Sequence, residues 1–122
     1  TLNKYTIILP KKALNDICTE TLSDNKAENV LSLDIKGISS FADNIIIATA
    51  NSNRHAKSLS EKLVEEIKAN KISIMGVEGK TESGWILVDC GEVVVNIMKN
   101  DIREFYDLEG LWGENTLIDS SK

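Results

Sequence analysis

The sequence GWILVDCGEVVVNIMKNDIREFYDLEGLW, residues 84–112, carries the strongest structural signal in this chain. Two β-rich segments, Trp85–Asp89 and Val93–Met98, are separated by three residues, Cys90, Gly91 and Glu92. Glycine readily adopts the positive φ that many tight turns need. The pattern therefore predicts a β-hairpin with its turn at Cys90-Gly91.

The same stretch predicts a helix after the hairpin. Asn100 or Asp101 is expected to cap this helix, because both side chains accept hydrogen bonds from the free N–H groups of a first turn. The helix is expected to run through Phe105 and Tyr106 towards a second tryptophan, Trp112.

Residues 84–114 also hold the whole charge imbalance of the chain. The formal net charge of the protein is −5, and this segment alone combines two bases with seven acids. Acidic side chains interleaved with aromatic ones suit a partner that is basic and partly apolar. The bases are Lys99 and Arg103, and the acids are Asp89, Glu92, Asp101, Glu104, Asp107, Glu109 and Glu114.

The bulk composition indicates one domain spanning residues 1–122. Hydrophobic residues make up 42% and charged residues 27%, which is ordinary for a globular domain. No apolar run approaches a membrane span and no signal peptide is evident, so neither a membrane-spanning nor a secreted protein is expected. Cys18 and Cys90 form no CxxC motif and are expected to be free thiols. An acidic chain also disfavours general binding to nucleic acid.

Upstream of the hairpin, periodicity predicts a helix and two strands. Pro10 suits a first helical position, and apolar residues recur at helical spacing to about Leu22. Alternation around Leu31, Leu33 and Ile35 predicts a half-buried strand. The more continuously apolar segment Asn44–Ala50 predicts a strand covered on both faces.

A long helix and a short strand complete the prediction. Ser52 or Asn53 is expected to cap a helix whose apolar stripe is Ala56, Leu59, Leu63 and Ile67. Residues 72–77 predict a short strand, and the tail 113–122 is expected to fray. The order α-β-β-α-β-β-β-α predicts a single-domain α/β sandwich with a mixed five-stranded sheet, and disfavours a purely parallel one.

Trp85 has two interpretations of equal weight when it is considered alone. A tryptophan at a strand start is commonly a core residue, yet the same rigid ring is a common interface anchor. Its neighbours Asp89, Glu92 and Tyr106 are poor core residues and favour the interface.

Other chemistry is weakly supported. Asp89 and Glu92 could be a carboxylate pair for a metal, but a turn separates them and no third acid is placed nearby, so a plain hairpin turn is favoured. Nucleotidyltransferases have a Gly-Ser loop followed by two carboxylates on a strand. The segment from Gly37 to Asp43 has the Gly-Ser loop and the first carboxylate, Asp43, but the second carboxylate is absent. His55 is expected to be a surface or capping residue. The acids beside Cys90 are expected to raise its pKa, which argues against a nucleophile.

Four segments together resemble the Iojap family, the ribosomal silencing factors. The similarity covers roughly residues 9–112, and the combination is far more specific than any short motif. The segments are LDIKGISS at 33–40 with Asp43, NRH at 53–55, GVEG at 76–79 with WILVDCGEVVV at 85–95, and REFYDLEGLW at 103–112.

The resemblance implies an α/β sandwich of nucleotidyltransferase-like topology that lacks the catalytic residues of those enzymes. It implies a non-enzyme without cofactor or metal that binds the large ribosomal subunit through ribosomal protein L-fourteen. Binding there blocks association with the small subunit and represses translation. Members often form homodimers, and organelle relatives act in assembly of the large subunit. The resemblance therefore implies a location in a bacterial cytoplasm, with an organelle matrix as the alternative.

The resemblance also implies a partner-binding surface. By position it comprises Trp85, Asp89, Glu92, Tyr106 and Leu108. Two residues depart from the usual pattern: Asn96 stands where histidine is common, and Cys90 where an aromatic or aliphatic residue is common. The alternatives are a degenerate nucleotidyltransferase-like enzyme and a factor dedicated to large-subunit assembly.

Overall fold

The computed structural model describes residues 13–112 and Leu117–Ile118. The predicted element order is present, with an additional short helix and a two-residue strand at its end. The elements are α1 Leu14–Asp24, β1 Glu28–Asp34, β2 Asn44–Ala50, α2 Asn53–Ala69, β3 Gly76–Glu78, a 3₁₀ turn Thr81–Ser83, β4 Trp85–Asp89, β5 Val93–Lys99, α3 Asn100–Tyr106, α4 Leu108–Trp112 and β6 Leu117–Ile118.

The strands form one mixed sheet in the order β3-β4-β5-β2-β1-β6. The central pair β2–β5 is parallel, and the other pairs are antiparallel. The predicted α/β sandwich with a mixed sheet is thereby confirmed. Its five predicted strands are all present, and β6 adds a sixth at the edge beside β1. None of the described helices has the length and apolar character that crossing a bilayer requires.

One face of the sheet is covered by α1 and α2, and the residues between them form the first core cluster. Strand β2 has buried residues on both faces, as its continuous apolar sequence predicted. The predicted stripe of α2 is buried in this cluster. Ser52 is the N-cap residue, and its side chain accepts a hydrogen bond from the His55 N–H. Burial of that stripe fixes the helix on the sheet.

The opposite face carries a second core cluster, which is covered in part by α3 and α4. Its buried members are Leu33, Ile35, Ala42, Ile45, Ile47, Val94 and Met98. Five half-buried hydrophobic residues pack around it, and two of them, Trp85 and Leu108, are predicted site residues. The partner-binding prediction therefore falls at the margin of this cluster.

Two boundary predictions are wrong. Strand β3 begins only at Gly76, because Ile72 and Ile74 pack on the first core cluster without joining a ladder. Helix α3 has Lys99 as its N-cap residue, with no side-chain cap from Asn100 or Asp101. The ladder of β5 continues to Lys99, whose N–H donates to the Gly84 carbonyl, so the helix follows the strand without a linker.

Three further expectations concern the ends of the chain. Helix α1 extends to Asp24, slightly beyond the predicted end. Pro10 lies outside the described residues, but α1 begins only at Leu14, after the extended residue Ala13, so the expected helix running on from Pro10 is wrong. The expected frayed tail also lies outside them, except for Leu117 and Ile118, which pair with β1.

Candidate partner-binding surface

Strand β4 presents Trp85, Leu87 and Asp89 on the sheet face of the second core cluster. These three side chains are half-buried, whereas Ile86 and Val88 between them are buried on the other face. The pattern follows from the two-residue period of a strand, which sends alternate side chains to the same side. Two predicted site residues, Trp85 and Asp89, therefore lie on one face about 13 Å apart along the strand.

Trp85 combines the two interpretations that its sequence position left open. Its ring packs against the second core cluster, and its Nε1–H donates to Asn96 Oδ1 over 2.9 Å. The ring of Tyr106 lies 4.9 Å from it, centroid to centroid, at an angle of 53°. Part of the indole is nevertheless accessible. Trp85 is thus supported from below by the core and open on its outer side.

Helix α3 adds two exposed aromatic rings beside Trp85. Tyr106 is 51% exposed and Phe105 is 79% exposed, and their rings meet edge to face with centroids 5.0 Å apart. We call Trp85, Phe105 and Tyr106 the aromatic patch. Adjacent exposed aromatic side chains commonly mark a site of protein interaction. The structure brings together Trp85 and Tyr106 of the predicted set, and Phe105 joins them.

A groove of about 340 Å³ runs between β4 and α3 beside the aromatic patch. Gly79 must be a glycine here, because its φ is +107° and a Cβ would clash with the Trp85 carbonyl oxygen. The groove is apolar along its floor and carries one carboxylate. Its lining residues are Glu78, Gly79, Ser83, Trp85, Leu87, Ile102 and Tyr106.

The two acids of the predicted site, Asp89 and Glu92, lie at the β4–β5 turn, at the far end of the hairpin from the aromatic patch. Asp89 Oδ1 accepts a hydrogen bond from the Gly91 N–H over 2.8 Å, and Gly91 has a φ of +83°. The predicted hairpin and its turn are confirmed. The Asp89 carboxylate therefore shapes the turn as well as contributing charge, while Glu92 is exposed.

Leu108 has a different role from the exposed residues. It begins α4 and packs half-buried against the second core cluster. The structure thus leaves Leu108 only partly accessible, whereas Leu111, one turn later, is 75% exposed. Sequence reasoning missed Leu87 and Phe105. The strand alternation that links Trp85 to Asp89 could have identified Leu87.

Arg103 holds this part of the molecule in place and was not predicted to do so. It is buried, and its Nη1 donates to the Asn29 carbonyl over 2.6 Å and to Thr49 Oγ1 over 2.9 Å. Its Nε forms an ion pair with Glu109 Oε2 at 2.9 Å. One side chain therefore ties α3 to strands β1 and β2 and to α4.

The alternative nucleotidyltransferase pattern falls in a loop that uses its own polar groups. Within the loop, Ser39 Oγ accepts a hydrogen bond from the Phe41 N–H, and just before the loop Asp34 Oδ1 accepts one from the Lys36 N–H. Both contacts are local turns of the kind that these residue types commonly form. Within residues 13–112, no three His, Cys, Asp or Glu side chains come together as metal ligands would.

The two cysteines, far apart in sequence, meet in the first core cluster as free thiols. Their mutual hydrogen bond, together with burial, raises the pKa of Cys18. The same hydrogen bond lowers the pKa of Cys90, although burial, Asp89 and Glu92 act in the opposite direction. The two acids thus act in the expected direction, but the expected net rise in the pKa of Cys90 is wrong, because the expectation omitted Cys18.

His55 links the start of α2 to the end of α1. Its Nδ1 accepts from the Asn51 N–H, and its Nε2 lies 3.0 Å from the Asn25 carbonyl oxygen. The acceptor role of Nδ1 places the proton on Nε2 in a neutral ring. This arrangement matches the capping role expected from the sequence.

Comparison with known proteins adds independent information. The family model described as "Ribosomal silencing factor during starvation" matches residues 10–122. A Haemophilus influenzae protein named "Ribosomal silencing factor RsfS" is 40% identical over 100 residues, covering 82% of this chain and 98% of that protein. A crystal structure of a Chromobacterium violaceum protein superimposes with a TM-score of 0.81 at 34% identity, covering 86% of this chain and 88% of that one.

A more distant relative bears a different name. The mouse protein "Mitochondrial assembly of ribosomal large subunit protein 1" is 27% identical over 100 residues, which cover 80% of this chain and 44% of that protein.

Proposed function

Because this chain belongs to the ribosomal silencing factor family, we propose that it binds the large ribosomal subunit through ribosomal protein L-fourteen and blocks subunit joining by its bulk. The observation that carries the proposal is the aromatic patch, in which Trp85 and Tyr106 lie 4.9 Å apart beside an open groove. Rigid aromatic side chains supply much of the binding energy of protein interfaces at a small cost in conformational entropy.

The acidic side chains along this surface, from the groove to the β4–β5 turn, suit a basic partner. Glu78 lines the groove, Asp89 lies on the same sheet face, and Glu92 projects from the turn. Ribosomal proteins must contact RNA and are commonly basic, so this surface offers them complementary charge. The apolar floor supplies contact area and the acids supply orientation.

Steric blocking requires no chemical step. A protein bound over the subunit-joining face prevents docking of the other subunit wherever the two volumes overlap. In the proposal, the surface formed by β4, the β4–β5 turn and α3 therefore acts by binding alone. Neither cofactor nor metal is part of this proposal, and nucleotide with Mg²⁺ is expected not to bind near Ser39, Ser40 and Asp43.

The test is co-sedimentation with purified large and small subunits, followed by a subunit-joining assay. We expect binding to large subunits only and fewer joined ribosomes in proportion to occupancy. Equal binding to both subunits, or binding to naked ribosomal RNA, would contradict the proposal. A charge-reversed variant on the outer face of α2, Glu61→Lys with Glu65→Lys, is the control, since both residues are exposed on the opposite side of the sheet.

The name of the mouse relative favours large-subunit assembly as a second candidate function. The two functions predict different effects of the protein on the joining of mature subunits. A silencing factor reduces joining when added to mature subunits in vitro. A factor dedicated to assembly leaves their joining unchanged, and its depletion causes incomplete large subunits to accumulate.

A further inference from the structure

The single polar atom of the Trp85 side chain is used inside the protein. We propose that Asn96 is a positioning residue that fixes the Trp85 indole, so that Trp85 offers only carbon surface to the partner. This inference rests on the proposed function and specifies the chemistry of its central contact. The partner group that covers Trp85 is therefore apolar and does not accept a hydrogen bond from the indole.

The geometry places Asn96 beneath Trp85. Asn96 lies in β5, is only 3% exposed, and pairs across the ladder with Leu87, two residues from Trp85. Its Oδ1 lies 2.9 Å from Trp85 Nε1. A residue this deeply buried cannot touch a partner directly. Its influence on binding must pass through the indole that it holds.

The neighbours of Asn96 make a polar side chain costly at this position. On the same sheet face it lies among the second core cluster, with Ile47 as its direct partner in β2 and Val94 and Met98 on either side in its own strand. An amide in such surroundings destabilises the fold unless it is hydrogen-bonded. The bond to Trp85 satisfies that amide oxygen, and it also satisfies the only donor of the indole.

One further contact limits the movement of the indole. The ring of Tyr106 lies against it, with centroids 4.9 Å apart. A ring that is oriented before the partner arrives loses little conformational entropy when it binds. Without the Asn96 contact, the indole must either find another acceptor or reorient towards solvent. Affinity then falls although the aromatic patch keeps its composition.

The experiment replaces the acceptor while retaining the size of the side chain. Asn96→Leu is expected to weaken binding to purified large subunits about five- to tenfold, as the loss of one hydrogen bond implies. The second readout is the indole N–H resonance of Trp85 in the free protein, recorded in a Trp112→Phe background that leaves Trp85 as the only tryptophan. Asn96→Leu is expected to shift this resonance towards that of a solvent-exposed indole.

A second variant restores an acceptor of a different kind. Neutral histidine at position 96 can accept from the indole, whereas imidazolium cannot. Asn96→His is therefore expected to bind nearly as the unchanged protein at pH 7.5 and to lose affinity on acidification to pH 5.5, relative to the unchanged protein over the same range. If Asn96→Leu does not fold, this pH series alone tests the positioning role of Asn96.

Controls separate this inference from the proposed function. In a Trp85→Phe background, which has no indole donor, Asn96→Leu is expected to have no further effect on binding. If Trp85→Ala binds as the unchanged protein does, the proposed surface is wrong and the inference falls with it. If Trp85→Ala loses binding while Asn96→Leu binds normally, or while Asn96→His shows no added pH dependence, only the positioning role of Asn96 is overturned.

Discussion

Arg103 and Thr49 are 54 residues apart in sequence, yet Arg103 Nη1 donates to Thr49 Oγ1 over 2.9 Å in the interior. The same nitrogen donates to the carbonyl of Asn29, and Nε pairs with Glu109. Through this side chain, the helix that carries Phe105 and Tyr106 is fixed to the far strands of the sheet. The aromatic patch therefore depends on a contact that lies outside it.

We expect Arg103→Ala to lower the free energy of unfolding by about 2–3 kcal/mol, because it leaves the buried Thr49 hydroxyl, the Asn29 carbonyl and the Glu109 carboxylate without their donor. Denaturant titration measures this loss. Arg54→Ala, at an exposed position of α2, is the matched control and is expected to change stability by less than about 0.5 kcal/mol. Equal stability of the two variants would contradict the role of Arg103.

Trp85→Ala is expected to weaken binding to large subunits by about 2 kcal/mol or more, because it removes the centre of the aromatic patch. Since the side chain is only half-buried, the loss of fold stability should stay below the roughly 3–5 kcal/mol typical of a fully buried tryptophan. Affinity and melting temperature are measured on the same preparation. A large fall in melting temperature with unchanged affinity of the folded fraction would make Trp85 a core residue only.

Charge reversal at the turn, Asp89→Lys with Glu92→Lys, is expected to slow association with large subunits and to invert its salt dependence. Asp89→Asn is measured in parallel. Asparagine keeps a side-chain oxygen that accepts from the Gly91 N–H, so this variant removes only the charge. Stopped-flow association at two salt concentrations measures both effects. The control, Glu61→Lys with Glu65→Lys, changes net charge by the same amount on the other face; an equal effect there would show that the turn has no special role.

Cys90 is expected to react first, and slowly, with a thiol reagent in the native protein, because it is 8% exposed whereas Cys18 is fully buried. The hydrogen bond from Cys18 lowers the pKa of Cys90 and so increases its thiolate fraction. Cys18→Ala removes that bond, and labelling of Cys90 near neutral pH should become slower. Mass spectrometry of labelled peptides over a pH series checks this; faster labelling in the variant would contradict it.

Local sequence patterns predicted the elements but not their long-range contacts. The hairpin, the buried strand β2 and the stripe of α2 follow from periodicities that neighbouring residues reveal, and all three are confirmed. In the sequence, Arg103 is one of only two basic residues in the acidic segment 84–114, and nothing near it indicates that it is buried. Its burial depends on Asn29 and Thr49, which no short window around it contains.

The residues of the candidate surface were predicted from the family resemblance, with support from the acids and aromatic residues near Trp85, and neither source identified the residues beneath the surface. Exposed aromatic residues near acids suggested an interface, whereas the support of Trp85 by Asn96 depends on how β4 and β5 pair. The pKa of Cys90 was misjudged for a related reason, since its strongest influence, Cys18, comes from α1. The shortened β3 and the two-residue β6 carry too few residues to show a period.

The parallel ladder between β2 and β5 has a consequence for how the chain acquires its structure. Its two strands, Asn44–Ala50 and Val93–Lys99, lie at the centre of the sheet and are separated by α2, β3 and β4. Such non-local pairing requires a long loop to close, which slows the rate-limiting step relative to formation of a hairpin. A chain released or truncated before residue 93 lacks the partner of its most buried strand. It would therefore expose the edge of β2, with its isoleucines, to aggregation during synthesis.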